Sequence, residues 1–421
     1  MKRRLLPMMM TLVLVCALPI WAAFVTSGDV TNPLVCTAGA AEPSVPVEVS
    51  TAADLQSNID AGNSVKLTKN IDINTALNVT STLTLDLNGC VLRLRMRGNT
   101  SVFYVYNNAT LTIQDSSAAK SGTITGGNAG DGGGVYIGDN SSEGHLVMTG
   151  GTITGCVTNP YRGDGRGGGV FVFKGSFTMS GTAKITSCTA DWGGGVVVHT
   201  GSSTFTMNGG EISDCKASYT GGGVCLVGGA WFEMTGGTIR NCTAGSVESS
   251  AIYMDPGTMK AHGGTVKGNV CVSGVGNCVI THEPSQEGYT IFDGTITFEG
   301  NGSTTAKYPV KFDLAGGSAD GLPETVRLGT ALSKPADPTK SGHTFVGWYL
   351  GDAPYNFDTP VTAPLTLTAK WEKVPSSGGY YYAPPAEQPI EAPKTADPGV
   401  ALYAALSLLS LTGLTCITKK R

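Results

Sequence analysis

Four cysteines recur at nearly constant spacing and are the residues most obviously equipped for chemistry. Cys156, Cys188, Cys215 and Cys242 lie 32, 27 and 27 residues apart, and Asn269 follows after a further 27. Thiols repeated in this way could pair as disulfides, hold a soft metal or fill a small buried slot. We expect buried free thiols and no metal or cofactor, because no second column of Cys or His supplies further ligands. Disulfide pairing is the alternative for an exported chain.

The residues after each cysteine could form a ligand site. The first step is five residues longer than the others and contains the loop VTNPYRGDGR (157–166). Aromatic faces beside carboxylates suit sugar rings, whereas the alternative is that the same rings only cover the edge of a core. The loop also contains an RGD tripeptide, which arises easily by chance in a Gly-rich chain. The candidate ligand-binding residues are Tyr161, Arg162, Asp164, Arg166, Asp191, Trp192 and Tyr219.

The phrases that carry these residues repeat four times, as in GGGVFV…FTMSGTAKITSC and GGGVVV…FTMNGGEISDC. Apolar residues alternate within each phrase, which is the period of a strand rather than of a helix. One coil of short strands cannot bury its apolar side alone, but stacked coils bury a continuous column. The repeats therefore predict a right-handed parallel β-helix. Its expected inward columns are Met148, Met179, Met207 and Met234, and Ile153, Ile185, Ile212 and Ile239.

The β-helix is predicted over residues 46–305, with the segment 54–62 as an N-terminal helical cap. The GGTI and GGGV phrases resemble those of pectate-lyase-like β-helices in bacterial surface proteins, with Cys standing where Asn is usual. The resemblance implies an architecture and not an activity, because this fold carries lyases, hydrolases and adhesins alike.

Composition changes near Lys307, and residues 306–374 are predicted to form a second domain. The segments KFDLAGG (311–317), KPADPTKSGHTFVGWY (334–349) and LTLTAKW (365–371) resemble the internalin-type B repeat, a small β-grasp module. The resemblance implies an extracellular spacer or interaction module, and it completes an all-β fold class. The expected core of the module is Phe345, Trp348, Leu367 and Trp371.

The N-terminus is typical of an exported protein. Three basic residues precede an apolar run that ends near Val25, which indicates a signal peptide over residues 1–40. A retained membrane helix is the alternative. At the other end, residues 375–392 are Pro-rich and are predicted to be a spacer through the cell wall.

Residues 393–421 resemble a sortase sorting signal. An apolar run over 400–417 is long enough to span a membrane and is followed by a basic tail. Upstream, Pro393, Lys394, Thr395 and Ala396 match the P-x-T-[G/A] part of the motif, while Ala392 stands where Leu is common. The resemblance implies that sortase cleaves after Thr395 and joins it covalently to peptidoglycan. A plain tail anchor is the alternative.

Charge and motifs restrict the function. The formal net charge is −4, and no basic stripe is present, which argues against a nucleic-acid partner. The chain contains no GxSxG, HExxH or CxxC motif, so we assign no catalytic residue. We expect a wall-anchored, adhesin-like or ligand-display protein on a Gram-positive-type cell, with glycans or host surface proteins as ligands. The alternative is a secreted polysaccharide lyase or glycoside hydrolase.

Overall fold

The computed structural model describes residues 45–375 except 97, 160–163, 247–248, 274–277, 283–287 and 300–301. The regular secondary structure of these residues is nearly all β, and most of the strands form a parallel β-solenoid of about eight turns. The predicted all-β fold with a parallel β-helix is thereby confirmed. Within the described part of the chain, no helix is both long and apolar enough to cross a membrane. The predicted signal peptide and the sorting motif Pro393–Ala396 lie outside it.

The elements of the solenoid are a helix and strands that are short except for three long ones in its second half, Thr204–Ser213, Val224–Arg240 and Ile252–Lys267. They are α1 (Ala52–Asp60), β1 (Val47–Val49), β2 (Val65–Leu67), β3 (Ile71–Ile73), β4 (Leu77–Val79), β5 (Leu83–Asp86), β6 (Val91–Leu94), β7 (Phe103–Val105), β8 (Thr110–Gln114), β9 (Thr123–Thr125), β10 (Asn128–Ala129), β11 (Val135–Ile137), β12 (Gly144–Met148), β13 (Thr152–Thr154), β14 (Val157–Thr158), β15 (Val170–Val172), β16 (Gly175–Met179), β17 (Lys184–Thr186), β18 (Thr189–Trp192), β19 (Val196–His199), β20 (Thr204–Ser213), β21 (Lys216–Thr220), β22 (Val224–Arg240), β23 (Ile252–Lys267), β24 (Val270–Val272), β25 (Val279–Thr281), β26 (Ile291–Asp293), β27 (Ile296–Phe298) and β28 (Ser303–Thr304).

Equivalent residues of successive coils lie directly above one another. Each Met and Ile predicted to face inward pairs in register with its counterpart in the next coil, so both predicted columns are confirmed. A third inward column, of aromatic residues, lies two residues before the Met column on the same strands. The rings of Phe177, Phe205 and Phe232 stack with centroids 4.7 and 4.8 Å apart and planes within 7° of parallel. The core is therefore a set of identical side chains repeated at the strand spacing.

The glycine triads lie where the cross-section is narrowest. A Cβ on Gly195 would lie 2.5 Å from the carbonyl oxygen of Gly223 and 2.8 Å from Cγ2 of Ile212. The Sγ of Cys215 would be 3.5 Å away. Gly193, the first of the same triad, has φ of +60° in the left-handed region that favours glycine. A residue larger than glycine at Gly195 would therefore clash with the next coil and with Ile212.

Both ends of the solenoid core are covered. At the N-terminal end α1 buries Leu55 and Ile59, and Thr51 Oγ1 accepts a hydrogen bond from the Asp54 backbone N–H at 3.1 Å. The predicted helical segment is therefore present and packs on the first coils. At the other end, the Tyr308 hydroxyl donates to the carbonyl of Thr290 in the last coils at 2.6 Å.

The C-terminal module is a five-stranded sheet in the order β30-β29-β33-β31-β32. Of its predicted core, Trp348 and Leu367 are buried, while Phe345 and Trp371 are half-buried and pack edge to face with centroids 5.4 Å apart. Its strands are β29 (Lys307–Asp313), β30 (Thr325–Arg327), β31 (His343–Leu350), β32 (Ala353–Pro354) and β33 (Leu365–Lys373).

Candidate ligand-binding site

One strand column of the solenoid is apolar on both of its faces. The strands that follow the glycine triads have a central residue that points outward, yet Phe171, Val197 and Cys225 at that position are buried. They form a small cluster outside the main core. We call the rings that surround and extend it the outer aromatic layer, which consists of Tyr104, Tyr136, Phe171, Phe173, Trp192, His199, Tyr219 and Tyr253.

The layer is held by ring-to-ring contacts between neighbouring coils. Tyr136 meets Phe171 edge to face with centroids 5.2 Å apart and planes at 72°. Phe173 and His199 stack with centroids 5.7 Å apart and planes 11° apart. Because the rings differ in type and angle from coil to coil, the layer lacks the regular stacking of the inward Phe column.

The two predicted aromatic residues of the described chain do come together. The rings of Trp192 and Tyr219 lie 5.7 Å apart, although the register shifts by one residue between β18 and β21. Trp192 also lies 6.4 Å from Tyr253, which the sequence did not indicate. Tyr219 is 56 % exposed, so this trio is where the layer reaches solvent.

Arg166 is the central charge beside the layer. Its guanidinium makes two hydrogen bonds to Asp131, at 3.2 Å from Nε and 3.0 Å from Nη2, and a 2.8 Å ion pair with Asp164. It also lies 4.8 Å from the centroid of the Phe171 ring. Two carboxylates and an aromatic face thus fix the cation and offset its charge.

Of the other residues predicted to bind a ligand, the structure describes Asp191 but not Tyr161 or Arg162. The backbone N–H groups of Asp191 and Trp192 both donate to the carbonyl of Gly165, which ties the loop before Arg166 to β18. Asp191 therefore lies beside Trp192 as expected.

Burial keeps the polar groups of this layer uncharged near neutral pH. Burial and the nearby Asp131 carboxylate raise the pKa of Tyr136 to about 12. Burial raises the pKa of the Cys225 thiol to about 12 as well. Burial, and then Arg166, lower the pKa of His199 below its ordinary value. These groups consequently act as hydrogen-bonding or apolar groups rather than as charges.

The four periodic cysteines are buried free thiols, as predicted. Sγ of Cys215 donates to the carbonyl of Ser213 at 3.3 Å, and a hydrogen bond to Cys156 together with burial raises the pKa of Cys188. Cys278 is likewise a buried free thiol. Across residues 45–375, apart from the gaps given above, no group of three or more His, Cys, Asp or Glu is arranged to hold a metal ion.

Sequence reasoning missed the inner part of the layer. Tyr136, Phe171 and Tyr253 occupy the middle of GGGVYI, GGGVFV and AIYM, where an alternating strand would place a polar residue. Three apolar residues in a row were the signal that the outward face of this column is covered. Asp131 was missed because it lies 35 residues before Arg166, in another coil.

Known proteins match only part of the chain. Residues 308–370 match the model of the Listeria-Bacteroides repeat domain. Two relatives come from Evansella cellulosilytica and are named "Putative membrane protein" and "Putative Gly-rich membrane protein". The first is 39% identical over 69 residues, which are 15% of this chain and 10% of that protein. The second is 37% identical over 70 residues, which are 16% of this chain and 8% of that protein.

The chain therefore spans about a tenth of the length of the curated relatives that it matches. No solved structure gives a significant match. A parallel β-solenoid joined to a Listeria-Bacteroides repeat domain fits a surface-associated repeat protein.

Proposed function

We propose that the protein is a wall-anchored, adhesin-like surface protein whose solenoid displays a ligand-binding face away from the cell. The observation that carries this proposal is the outer aromatic layer, because a scaffold that only spaces other domains needs no second apolar cluster outside its core. Repeat scaffolds bind along extended surfaces built from variable positions. Here the inward positions are uniform and the outward ones vary.

The surface location rests on other features. The Listeria-Bacteroides repeat domain match and the membrane-protein names of the relatives support an envelope protein. The predicted signal peptide and the P-x-T-A segment ending at Ala396 add covalent attachment to peptidoglycan by sortase. In this arrangement the C-terminal module and the Pro-rich segment hold the solenoid off the wall.

Cell fractionation tests the anchoring. The full chain, expressed in a Gram-positive host that contains sortase, should appear in the wall fraction and be released by a peptidoglycan hydrolase. Thr395→Ala should move it to the membrane fraction, because the resemblance to a sorting signal implies that sortase recognises this threonine and cleaves after it. Glu391→Gln, just upstream of the motif, serves as the control. Equal wall attachment of Thr395→Ala would contradict the proposal.

The rival function is a polysaccharide lyase or hydrolase, and the carboxylates beside the layer are the observation that keeps it in play. Asp164 and Asp191 lie next to Trp192, but Asp164 is already ion-paired with Arg166. Incubation of the full chain with pectins and host glycans, followed by assays for reducing ends and unsaturated products, separates the two functions. Turnover that Asp164→Asn or Asp191→Asn abolishes would establish the enzyme.

A further inference from the structure

The outer aromatic layer is long and narrow. Its central position passes in register from Tyr104 through Tyr136, Phe171, Val197 and Cys225 to Tyr253, across six successive coils. Because neighbouring strands lie about 4.8 Å apart, this row extends about 24 Å along the solenoid axis. Phe171, Val197 and Cys225 in the middle of the row are buried, so the accessible surface belongs to the half-buried rings along the same row and beside it, which are Tyr104, Tyr136, Phe173, Trp192 and Tyr253. The length and direction of this set of rings suit an extended polymer rather than a small molecule.

The layer also combines flat apolar rings with hydroxyl groups. Tyr104, Tyr136 and Tyr253 are half-buried, so each presents part of a ring and is held by its neighbours. Tyr219 is more than half exposed beside Trp192. Rigid aromatic side chains lose little conformational entropy on binding, and their polar ends add hydrogen bonds. A ligand with apolar faces and many hydroxyl groups matches this surface.

Among the residues that the structure describes, the charges beside the layer disfavour an acidic ligand. Arg166 is already offset by Asp131 and Asp164. Asp191 adds a carboxylate next to Trp192, and Asp255 accepts a hydrogen bond from the Tyr253 hydroxyl at 3.3 Å. Carboxylates repel uronic acids, phosphates and sulfates, but accept hydrogen bonds from sugar hydroxyls.

We propose that the outer aromatic layer binds an extended, uncharged polysaccharide that runs along the solenoid axis. Sugar rings stack on Trp192, Tyr219 and Tyr253, and their hydroxyl groups bond to Asp164 and Asp191. This inference deepens the proposed ligand-display function, on which it rests, by naming the class of ligand and the face that binds it. It does not depend on covalent attachment to the wall.

The test measures the binding of defined oligosaccharides to the purified full chain, which is kept soluble in detergent and immobilised on a surface. Cellohexaose, chitohexaose and mannohexaose are compared with the corresponding disaccharides and with polygalacturonate as the acidic polymer. At least one hexasaccharide should bind about tenfold more tightly than its disaccharide, since several rings contribute. Polygalacturonate should not bind in the same concentration range.

Matched variants locate the site. Trp192→Ala should raise the Kd of the bound hexasaccharide about tenfold, the size expected of an aromatic anchor. Trp231→Ala should leave the Kd unchanged, because Trp231 is 42 % exposed in a different strand column. Tyr219→Ala should also weaken binding, whereas Tyr219→Phe, which keeps the ring, should retain most of it.

Several results would overturn the inference. These are hexasaccharides that bind no better than disaccharides, preferential binding of polygalacturonate, or equal losses in Trp192→Ala and Trp231→Ala. Thermal melting of each variant checks its fold, and if Trp192→Ala is misfolded, the Tyr219→Ala and Tyr219→Phe pair decides. A chain that is wall-linked but binds only protein ligands would refute the polysaccharide and leave the surface-display function standing.

Discussion

The inward Phe column and the outer aromatic layer are built from the same kind of side chain in two different ways. Inside, Phe177, Phe205 and Phe232 repeat one residue, stacked within 7° of parallel. Outside, the residue type changes from coil to coil, and Tyr136 meets Phe171 at 72°. Both sets bury apolar surface, but only the inner one repeats the same residue type in these successive coils.

The difference reflects two different packing constraints on the side chains of the solenoid. An inward side chain must fit the coil above and the coil below, so one solution is repeated along the axis. An outward side chain does not have to fit between the coils above and below it, so its type can change from one coil to the next. Val197 and Cys225, for example, occupy the outward position that Phe171 occupies in an earlier coil. Variation outside a uniform core is therefore compatible with folding and leaves those positions open to recognition.

The largest expected effect is on the inner column. Phe205→Ala should lower the free energy of unfolding by about 3–5 kcal/mol, because it leaves a cavity between two stacked rings that cannot close without moving both coils. Urea unfolding followed by far-UV circular dichroism measures the change. Thr206→Ala, the adjacent outward residue, is the control and should stay within about 0.5 kcal/mol of the parent. A loss below about 1 kcal/mol for Phe205→Ala would show that the ladder contributes little.

The next effect tests whether the outer cluster is a second core. Phe171 is 0% exposed and lies against Tyr136, Phe173 and the guanidinium of Arg166. Phe171→Ala should cost about 2–3 kcal/mol, less than the inner truncation because an outside layer can relax toward the gap. The same urea titration measures it. A cost equal to that of Phe205→Ala would remove the distinction between the two regions.

Alkaline pH should destabilise the outer layer, together with other parts of the core that bury a thiol or a tyrosine, such as Cys278 and Tyr308. Burial raises the pKa of Cys225 and of Tyr136 to about 12 in the folded chain. Their stabilising contribution is complete below the unfolded pKa, about 8.5 for Cys and 10 for Tyr, and is lost as the pH rises toward 12. Urea midpoints should fall between pH 8.5 and 12, and the fall should be shallower in Cys225→Ala and Tyr136→Phe.

A control variant tests the assignment of that alkaline effect. Tyr349→Phe changes a tyrosine in the C-terminal module, outside the outer aromatic layer. It should leave the pH dependence of the urea midpoint unchanged. A parent chain with pH-independent stability over this range would contradict the burial of both groups in solution.

The uniform region could be predicted from sequence, and the variable region only in part. The Met and Ile columns repeat at a fixed period, so each residue could be assigned to its neighbours before any geometry was known. Trp192 and Tyr219 were found by their distance from a cysteine. Tyr253 was not found, because ring packing across coils depends on side-chain direction and on a register shift after Ala190.

The long first step of the array limited the prediction further. Arg166 is the last residue of that irregular loop, and its partner Asp131 lies 35 residues earlier, which is more than one regular step of the array, although the two residues pair as a parallel bridge. Because this step of the array is longer than the others, residues on either side of the loop cannot be paired by counting a fixed number of residues. Sequence period thus predicts contacts only where the period is unbroken.

The smallest expected effect concerns the exposed edge of the layer. Tyr219→Ala should change the free energy of unfolding by less than about 0.5 kcal/mol, because the ring is mostly in solvent and its removal opens no cavity. Trp231→Ala, also exposed but in another strand column, should behave in the same way in the urea titration. If Tyr219→Ala instead costs as much as Phe171→Ala, the Trp192–Tyr219 edge belongs to the outer core and its rings are not available to stack on a ligand. A near-zero cost would separate the residues that close the outer cluster from those that remain free to bind.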